Sequence, residues 1–80
     1  MNLKPITTDK AVMIIERENT LTFATEMNSK RDDIKKEVEN LFDVKVKNVR
    51  TLIKNSKKYA YVQLKKEFPA IDIATKLGLI

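Results

Sequence analysis

The chain has 80 residues, 42% of them hydrophobic, and carries 16 Lys and Arg against 11 Asp and Glu, for a net charge of +5. This length is sufficient for one domain with a modest core. Because Cys and His are both absent, a disulfide framework, a thiolate metal site and the commonest general base are excluded, and we expect no cofactor and no enzyme active site. No apolar run approaches the roughly 20 residues of a membrane span, and MNLKPITTDK lacks the apolar core of a secretion signal, so we expect a cytoplasmic protein.

The first predicted elements are a short edge strand and a helix. Residues 3–6 form a short apolar run whose single proline is tolerated in an edge strand. The segment TTDKAVMIIERE then predicts a helix, with Thr7 or Thr8 as N-cap and Asp9 in the first turn, near the positive end of the helix dipole. Asn19 ends this helix. We expect its inner side to consist of Ala11, Val12, Ile14 and Ile15.

The second strand and the second helix show the clearest periodicities. TLTFATE alternates strictly, with Leu21 and Phe23 on one face, which predicts a strand; the other face carries Thr20, Thr22 and Ala24. In SKRDDIKKEVENLF, Ser29 and Asp32 have the spacing of a capping box. Apolar residues at i, i+4, i+7 and i+8 predict one buried stripe on this helix. They are Ile34, Val38, Leu41 and Phe42.

The segment KVKNVRTLIKNSKKYAYVQLKK, residues 45–66, predicts a basic β-hairpin with a tight polar turn at NSK. The alternation of its first strand slips near Lys47 and Asn48, which indicates a β-bulge or a strand that begins only after Val46. In its second strand, the predicted core residues are Ala60, Val62 and Leu64. Tyr59 and Tyr61 are therefore expected on the opposite face of the sheet, and the lysines of the hairpin along that same face and the turn.

The last predicted element is the helix FPAIDIATKLG, with Pro69 at or near its first position and Gly78 as its C-terminal stop. Its predicted buried residues are Ile71, Ile73, Ala74 and Leu77. The order βαβαββα predicts an α+β fold, with three helices on a four-stranded, mostly antiparallel sheet in a single domain covering residues 1–80. We expect the central βαβ unit to be a right-handed crossover, and the last strand to pair with both of its strands.

Positive charge is concentrated in the hairpin. Residues 45–66 hold eight of the 16 bases and no acid, whereas the other 58 residues hold eight bases and 11 acids. Such a basic surface is typical of a protein that faces a polyanion, and the charge favours nucleic acid over two alternatives, a lysine-protected sheet edge and an acidic membrane. The tyrosines have two interpretations as well: they stack on RNA bases, or they cover a thin sheet.

Three segments carry a resemblance to a known family. PITTDKA, IKKEVENLFDVKVKNVRTL and KKYAYVQL, in this order and spacing, together resemble the large-subunit ribosomal protein twenty-three family over nearly the whole chain. The resemblance implies a non-enzymatic constituent of the large ribosomal subunit that binds large-subunit rRNA and neighbouring ribosomal proteins near the polypeptide exit tunnel. It also implies a docking platform for factors that meet the nascent chain.

The same resemblance implies a subtype. Bacterial members have a long basic extension between the last two strands, which reaches toward the tunnel, whereas this chain has about four residues there. Together with the closing IATKLGLI segment, this brevity is similar to the archaeal and eukaryotic type. Asp9 matches the acidic docking position, where Glu is more usual, and its implied partner is a signal recognition particle or a translocon rather than the bacterial chaperone.

The RNA-facing residues that the resemblance implies are Lys4, Lys10, Lys45, Lys47, Arg50, Lys54, Lys57, Lys58 and Tyr61. Two other classes of protein stay open. One is a free RNA-binding module with a sheet like that of the RNA-recognition motif, although the aromatic- and Gly-rich consensus of that motif is missing. The other is a ferredoxin-like protein-interaction domain that binds no RNA.

Overall fold

The computed structural model describes residues 3–6 and 8–78, and its elements follow the predicted order βαβαββα. The strands are β1 (Lys4–Pro5), β2 (Thr20–Thr25), β3 (Val46–Lys54) and β4 (Lys57–Leu64), and the helices are α1 (Asp9–Glu18), α2 (Arg31–Phe42) and α3 (Ala70–Lys76). The sheet has the order β1-β2-β4-β3, and each neighbouring pair is antiparallel. As predicted, β4 therefore lies between β2 and β3.

One face of the sheet packs against α2. The side chains of Phe23 and Val62 on this face join Ile34 and Val38 of α2 in the core, and all four are at most 1% exposed. At the end of the helix, the ring of Phe42 stacks on that of Phe23 with centroids 6.2 Å apart. Burying each of these large apolar side chains contributes about 1.5–3 kcal/mol. The contact between α2 and the sheet is therefore a principal source of stability.

The opposite face of the sheet is partly covered by α1. Ala11 and Ile14 of α1 line a cleft together with Thr22 and Tyr61, which are cross-strand partners on this face. Glu18, the last residue of α1, also reaches this face of the sheet, where its carboxylate contacts Arg50 of β3. The position of α1 explains a difference from the alternation in β2, because Thr22 is buried although it points away from the α2 side.

Asn19 connects the end of α1 to the segment that leads into α3. It adopts the left-handed conformation, with φ 53°, and is the C-cap of α1, which confirms the predicted end of that helix. Its Nδ2 donates to the carbonyl oxygens of Leu64, Lys65 and Phe68 at 3.2, 3.3 and 3.1 Å. Its Oδ1 accepts a hydrogen bond from the N–H of Ala70. One side chain therefore ties the first residue of α3 to the end of α1.

Of the N-caps predicted for the first two helices, the threonine cap of α1 is confirmed and the capping box of α2 is not. Thr8 is the N-cap of α1, and its hydroxyl accepts from the N–H of Ala11 at 3.2 Å; Thr7, the other predicted cap, lies outside the described residues. The capping box predicted for α2 is wrong, because Lys30 is the N-cap and makes no side-chain cap bond. The Ser29 hydroxyl instead accepts from Oγ1 of Thr25 at 3.0 Å, so it joins the helix entrance to the end of β2.

Two predicted core residues are exposed. Leu41 is 59% exposed, because the buried stripe of α2 is centred on Val38 and runs through Ile34 and Phe42, which leaves Leu41 at its margin. In α3, Ile71 is exposed and Ala70 is buried in its place, alongside the correctly predicted Ile73 and Ala74. Gly78 follows α3 with φ 74°, as expected of a C-terminal stop.

Candidate nucleic-acid interface

The hairpin of β3 and β4 closes with a turn of two residues. Asn55 and Ser56 have φ angles of 52° and 63°, the left-handed values required at both central positions of a type I′ turn. The turn pairs Lys54 directly with Lys57. Two lysines therefore lie side by side at the tip of a short hairpin.

The predicted slip in β3 is confirmed as a shift in register between Val46 and Asn48. Beyond the shift the pairing is regular, with Arg50 opposite Tyr61. Cross-strand partners point to the same side of a sheet, so one face carries both tyrosines and alternate residues of β3. We call this surface the tyrosine face; its residues on β3 and β4 are Asn48, Arg50, Leu52, Lys54, Lys57, Tyr59, Tyr61 and Gln63.

Arg50 is held against the tyrosine face by two contacts. Its guanidinium carbon lies 6.0 Å from the centroid of the Tyr61 ring, within the range of a cation–π interaction. Its Nη2 lies 3.7 Å from Oε1 of Glu18. The side chains of Arg50 and Glu18 are 61% and 51% exposed, so this ion pair contributes little to stability. Arg50 is thus oriented and still accessible to an external anion.

A cleft of about 470 Å³ separates α1 from the hairpin. Thr22 and Tyr61 of the sheet line it opposite Ile14 of α1, and the exposed lysines Lys10 and Lys54 also line it. An adjoining cleft of about 330 Å³ shares Lys10 and Tyr61 and includes Arg50. The tyrosine face is therefore grooved rather than flat, with basic side chains along the groove.

Three of the predicted RNA-facing lysines, Lys45, Lys47 and Lys58, lie away from the tyrosine face. Lys58 is in phase with Ala60, so it points to the α2 side, where its Nζ donates to the carbonyl oxygen of Ser29. The sequence-based expectation that the hairpin lysines all follow the tyrosines or the turn is wrong for Lys58, because adjacent residues of a strand point to opposite faces. Lys47 lies at the bulge and is exposed, beside the N-terminal part of α2.

The surroundings of Lys47 form a second basic surface that sequence reasoning missed. An open cleft of about 400 Å³ there is also lined by Lys30, Arg31 and Lys35, together with Asp32. These bases are spread through residues 30–35, and nothing in their spacing places them beside β3. The packing of α2 on the sheet brings them next to Lys47.

The remaining predicted residues are dispersed. Lys4 is exposed and pairs with Ala24, in phase with Tyr59, so it extends the tyrosine face toward the β1 edge. Lys45 precedes β3, at the opposite end of the hairpin from the turn. Asp9 is exposed in the first turn of α1. The structure thus brings together Lys4, Lys10, Arg50, Lys54, Lys57 and Tyr61, and separates Lys45, Lys47 and Lys58 from them.

Within residues 3–6 and 8–78, no helix is long and apolar enough to cross a membrane. In the same part of the chain, no cluster of three or more acidic side chains is placed to hold a metal ion.

A comparison with known families identifies the family of this chain. The family model described as Ribosomal protein L23 matches residues 1–71, which include all four strands, the first two helices and the start of α3. The match covers each segment on which the resemblance in the sequence depends. The chain therefore belongs to the ribosomal protein L23 family, and is a ribosome-bound protein of the large subunit that acts in translation in the cytoplasm.

Proposed function

We propose that the protein binds large-subunit rRNA near the polypeptide exit tunnel, chiefly through the tyrosine face and Lys10 of α1. One observation carries this proposal: Arg50, Lys54 and Lys57 share a sheet face with Tyr59 and Tyr61. Lys and Arg neutralise phosphates, and aromatic rings stack on unpaired bases. A surface that combines the two suits folded RNA with exposed single-stranded nucleotides.

Lys45, Lys47 and Lys58 are proposed as a second set of RNA contacts. Because β3 is an edge strand of the sheet, RNA that follows the tyrosine face can continue around this edge to the exposed Lys47. Lys58 is half-buried and already donates to Ser29, so its share of the binding energy is expected to be smaller. Neighbouring large-subunit proteins are proposed to pack on the surfaces that RNA leaves free.

We also propose that the ribosome-bound protein contributes to a docking platform for nascent-chain factors. Asp9 is an exposed carboxylate at the start of α1, where a basic partner can approach it. The two-residue turn at Asn55 and Ser56 supports assignment to the archaeal and eukaryotic type, because a hairpin this short does not extend into a tunnel. The proposed partner at Asp9 is accordingly a signal recognition particle or a translocon.

The RNA proposal is tested by removing three charges from the tyrosine face, in the variant Arg50→Ala, Lys54→Ala, Lys57→Ala. Its matched control removes three exposed lysines outside the proposed sites, in the variant K36A, K66A, K76A. Binding to a large-subunit rRNA fragment is measured by filter retention across a salt titration. Each lost phosphate contact lowers the slope of log affinity against log salt by about 0.7–0.9, so the tyrosine-face variant should lose about 2.1–2.7 units.

The control is expected to keep most of its slope, since its lysines lie away from the RNA. Equal slopes for the two variants would mean that net charge, rather than the tyrosine face, determines binding. Sedimentation separates the proposal from the other two classes. A ribosomal protein travels with the large subunit through moderate salt, a free RNA-binding module spreads among light fractions, and a protein-interaction domain is unaffected by nuclease.

A further inference from the structure

We infer that the cleft between α1 and the hairpin is a pocket for one unpaired nucleobase. The inference rests on the proposed RNA-binding function and adds how the RNA is held. A single base leaves its stack and enters the cleft between Ile14 and Tyr61, while the phosphates on either side of it lie against Lys10 and Lys54. The tyrosine face then binds a particular shape of RNA and not only its charge.

The size and walls of the cleft suit a base. Its volume of about 470 Å³ lies within the range of roughly 300–1,000 Å³ that is typical of small-ligand pockets. Ala11 and Ile14 form an apolar wall on α1, and Leu52, Tyr59 and Tyr61 form the wall on the hairpin. Leu52 is 46% exposed, although large apolar side chains of this sheet are otherwise mostly buried. A flat, largely apolar ring would cover this surface.

Thr22 provides a polar group inside the cleft. Its side chain is only 8% exposed, and its hydroxyl has no hydrogen-bond partner in the part of the chain that the structure describes. The neighbouring Thr20 differs, because its hydroxyl donates to the carbonyl oxygen of Glu18 at 2.9 Å. Buried hydroxyls are nearly always paired, and a threonine hydroxyl both donates and accepts. Because Oγ1 of Thr22 has less than 1 Å² of accessible surface, the polar edge of a base satisfies it when the cleft widens around the base.

Charge decides between a nucleotide and an apolar protein side chain as the occupant. Lys10 and Lys54 line the cleft, Arg50 lines the adjoining one, and no Asp or Glu is among the residues that line either of them. An aliphatic side chain from a partner protein, such as that of leucine, would gain nothing from three cations. A nucleotide combines an apolar ring with a phosphate on each side, and so matches both the walls and the basic residues.

The first test is an NMR titration of the full chain with nucleoside 5′-monophosphates. Inorganic phosphate serves as the control for charge, and N-acetyl-leucine amide serves as the probe for a protein side chain. The monophosphates should shift the methyl resonances of Thr22, Ile14 and Leu52, whereas phosphate should leave them in place. The inference is wrong if monophosphates and phosphate give the same shifts, or if the leucine derivative alone moves these methyl groups.

The second test uses variants that change the cleft without changing charge. Ile14→Trp fills the cleft, and Met13→Trp is its control, because Met13 is 46% exposed and does not line it. Thr22→Val removes the hydroxyl and keeps the shape. Ile14→Trp should weaken binding to the rRNA fragment at least about fivefold, the lower range for stacking of one base. Thr22→Val should weaken it about threefold to tenfold, the loss of one hydrogen bond, while Met13→Trp should change it less than about twofold.

Thr22→Val also separates binding from folding, because removing an unpaired buried hydroxyl is not expected to lower stability. Its urea midpoint should equal or exceed that of the wild type while its RNA affinity falls. If Ile14→Trp and Thr22→Val bind like the wild type but the Arg50, Lys54 and Lys57 triple variant does not, the pocket is refuted and the proposed function stands. If no variant changes RNA affinity, both are refuted.

Discussion

Replacing Asn19 by Gly is expected to destabilise the protein by about 3 kcal/mol, although Asn19 belongs to no helix or strand. Its side chain makes three partly buried hydrogen bonds, to Leu64, Phe68 and Ala70, and a more exposed one to Lys65. A bond of this kind contributes about 0.5–1.5 kcal/mol net, so the three partly buried bonds together contribute about 3 kcal/mol. A domain of this size has a total stability of roughly 4–12 kcal/mol, so the loss is severe.

Asn19→Ala should cost about 1–2 kcal/mol more than Asn19→Gly. The backbone at this position has φ 53°, a left-handed conformation that penalises any Cβ but that Gly adopts freely. The Gly variant therefore isolates the lost hydrogen bonds, and the Ala variant adds the backbone strain. The comparison separates two contributions that a single substitution would combine.

The assay is urea unfolding followed by far-UV circular dichroism, with Asn55→Gly as the matched control. Asn55 is also left-handed, with φ 52°, but it lies in the hairpin turn, where it is exposed. Its replacement by Gly should change the free energy of unfolding by less than about 1 kcal/mol, because Asn and Gly are both favoured at this turn position. The prediction is wrong if Asn19→Gly unfolds at the same urea concentration as Asn55→Gly. In that case the hydrogen bonds to the α3 segment contribute nothing to stability, and only the left-handed backbone conformation of Asn19 matters.

Three further predictions use the same unfolding measurement. Ser56→Gly should stabilise the protein by about 1 kcal/mol, because Ser56 has φ 63° at the turn position where type I′ turns favour Gly; an unchanged midpoint would contradict this turn geometry. Lys30→Ser should add about 0.5–1 kcal/mol by supplying the missing N-cap of α2, and a loss would mean that the lysine itself holds the helix start. Leu41→Ala should lower the free energy of unfolding by less than about 0.5 kcal/mol and Val38→Ala by about 2 kcal/mol, since their exposed fractions are 59% and 0%. Similar losses for the two variants would mean that Leu41 also packs in the core.

The element order and strand pairing could be predicted because both follow from local patterns. The alternation of Ala60, Val62 and Leu64 identifies one buried face of β4, and the opposite phases of Val46 and Val49 reveal the bulge. The layer in which α1 packs could not be predicted in this way. Threonine occurs both on solvated and on buried sheet faces, so the alternation of β2 does not reveal that α1 covers Thr22.

The residues of the candidate site could be predicted where the alternation of a strand determines which face of the sheet they lie on. The resemblance implies that Arg50 and Tyr61 lie on one RNA-facing surface, and the register pairs them directly. The prediction that Lys57 and Lys58 lie on the same surface is wrong, because they are adjacent in β4 and therefore point to opposite faces. The basic residues of α2 beside Lys47 could not be found from sequence, because their proximity depends on how a helix lies on a sheet rather than on any spacing along the chain.

The bulge in β3 links the hydrophobic core to the proposed interface. In a regular strand, Val46 and Val49 would face opposite sides, but the extra residue allows both to be buried, at 2% and 6% exposure. The same shift places Arg50 opposite Tyr61 on the tyrosine face. Without the bulge, burial of Val46 would turn Arg50 toward α2, and burying an unpaired guanidinium is costly. The packing of the two valines on the α2 side of the sheet therefore determines which side chains of β3 lie on the proposed RNA-binding face.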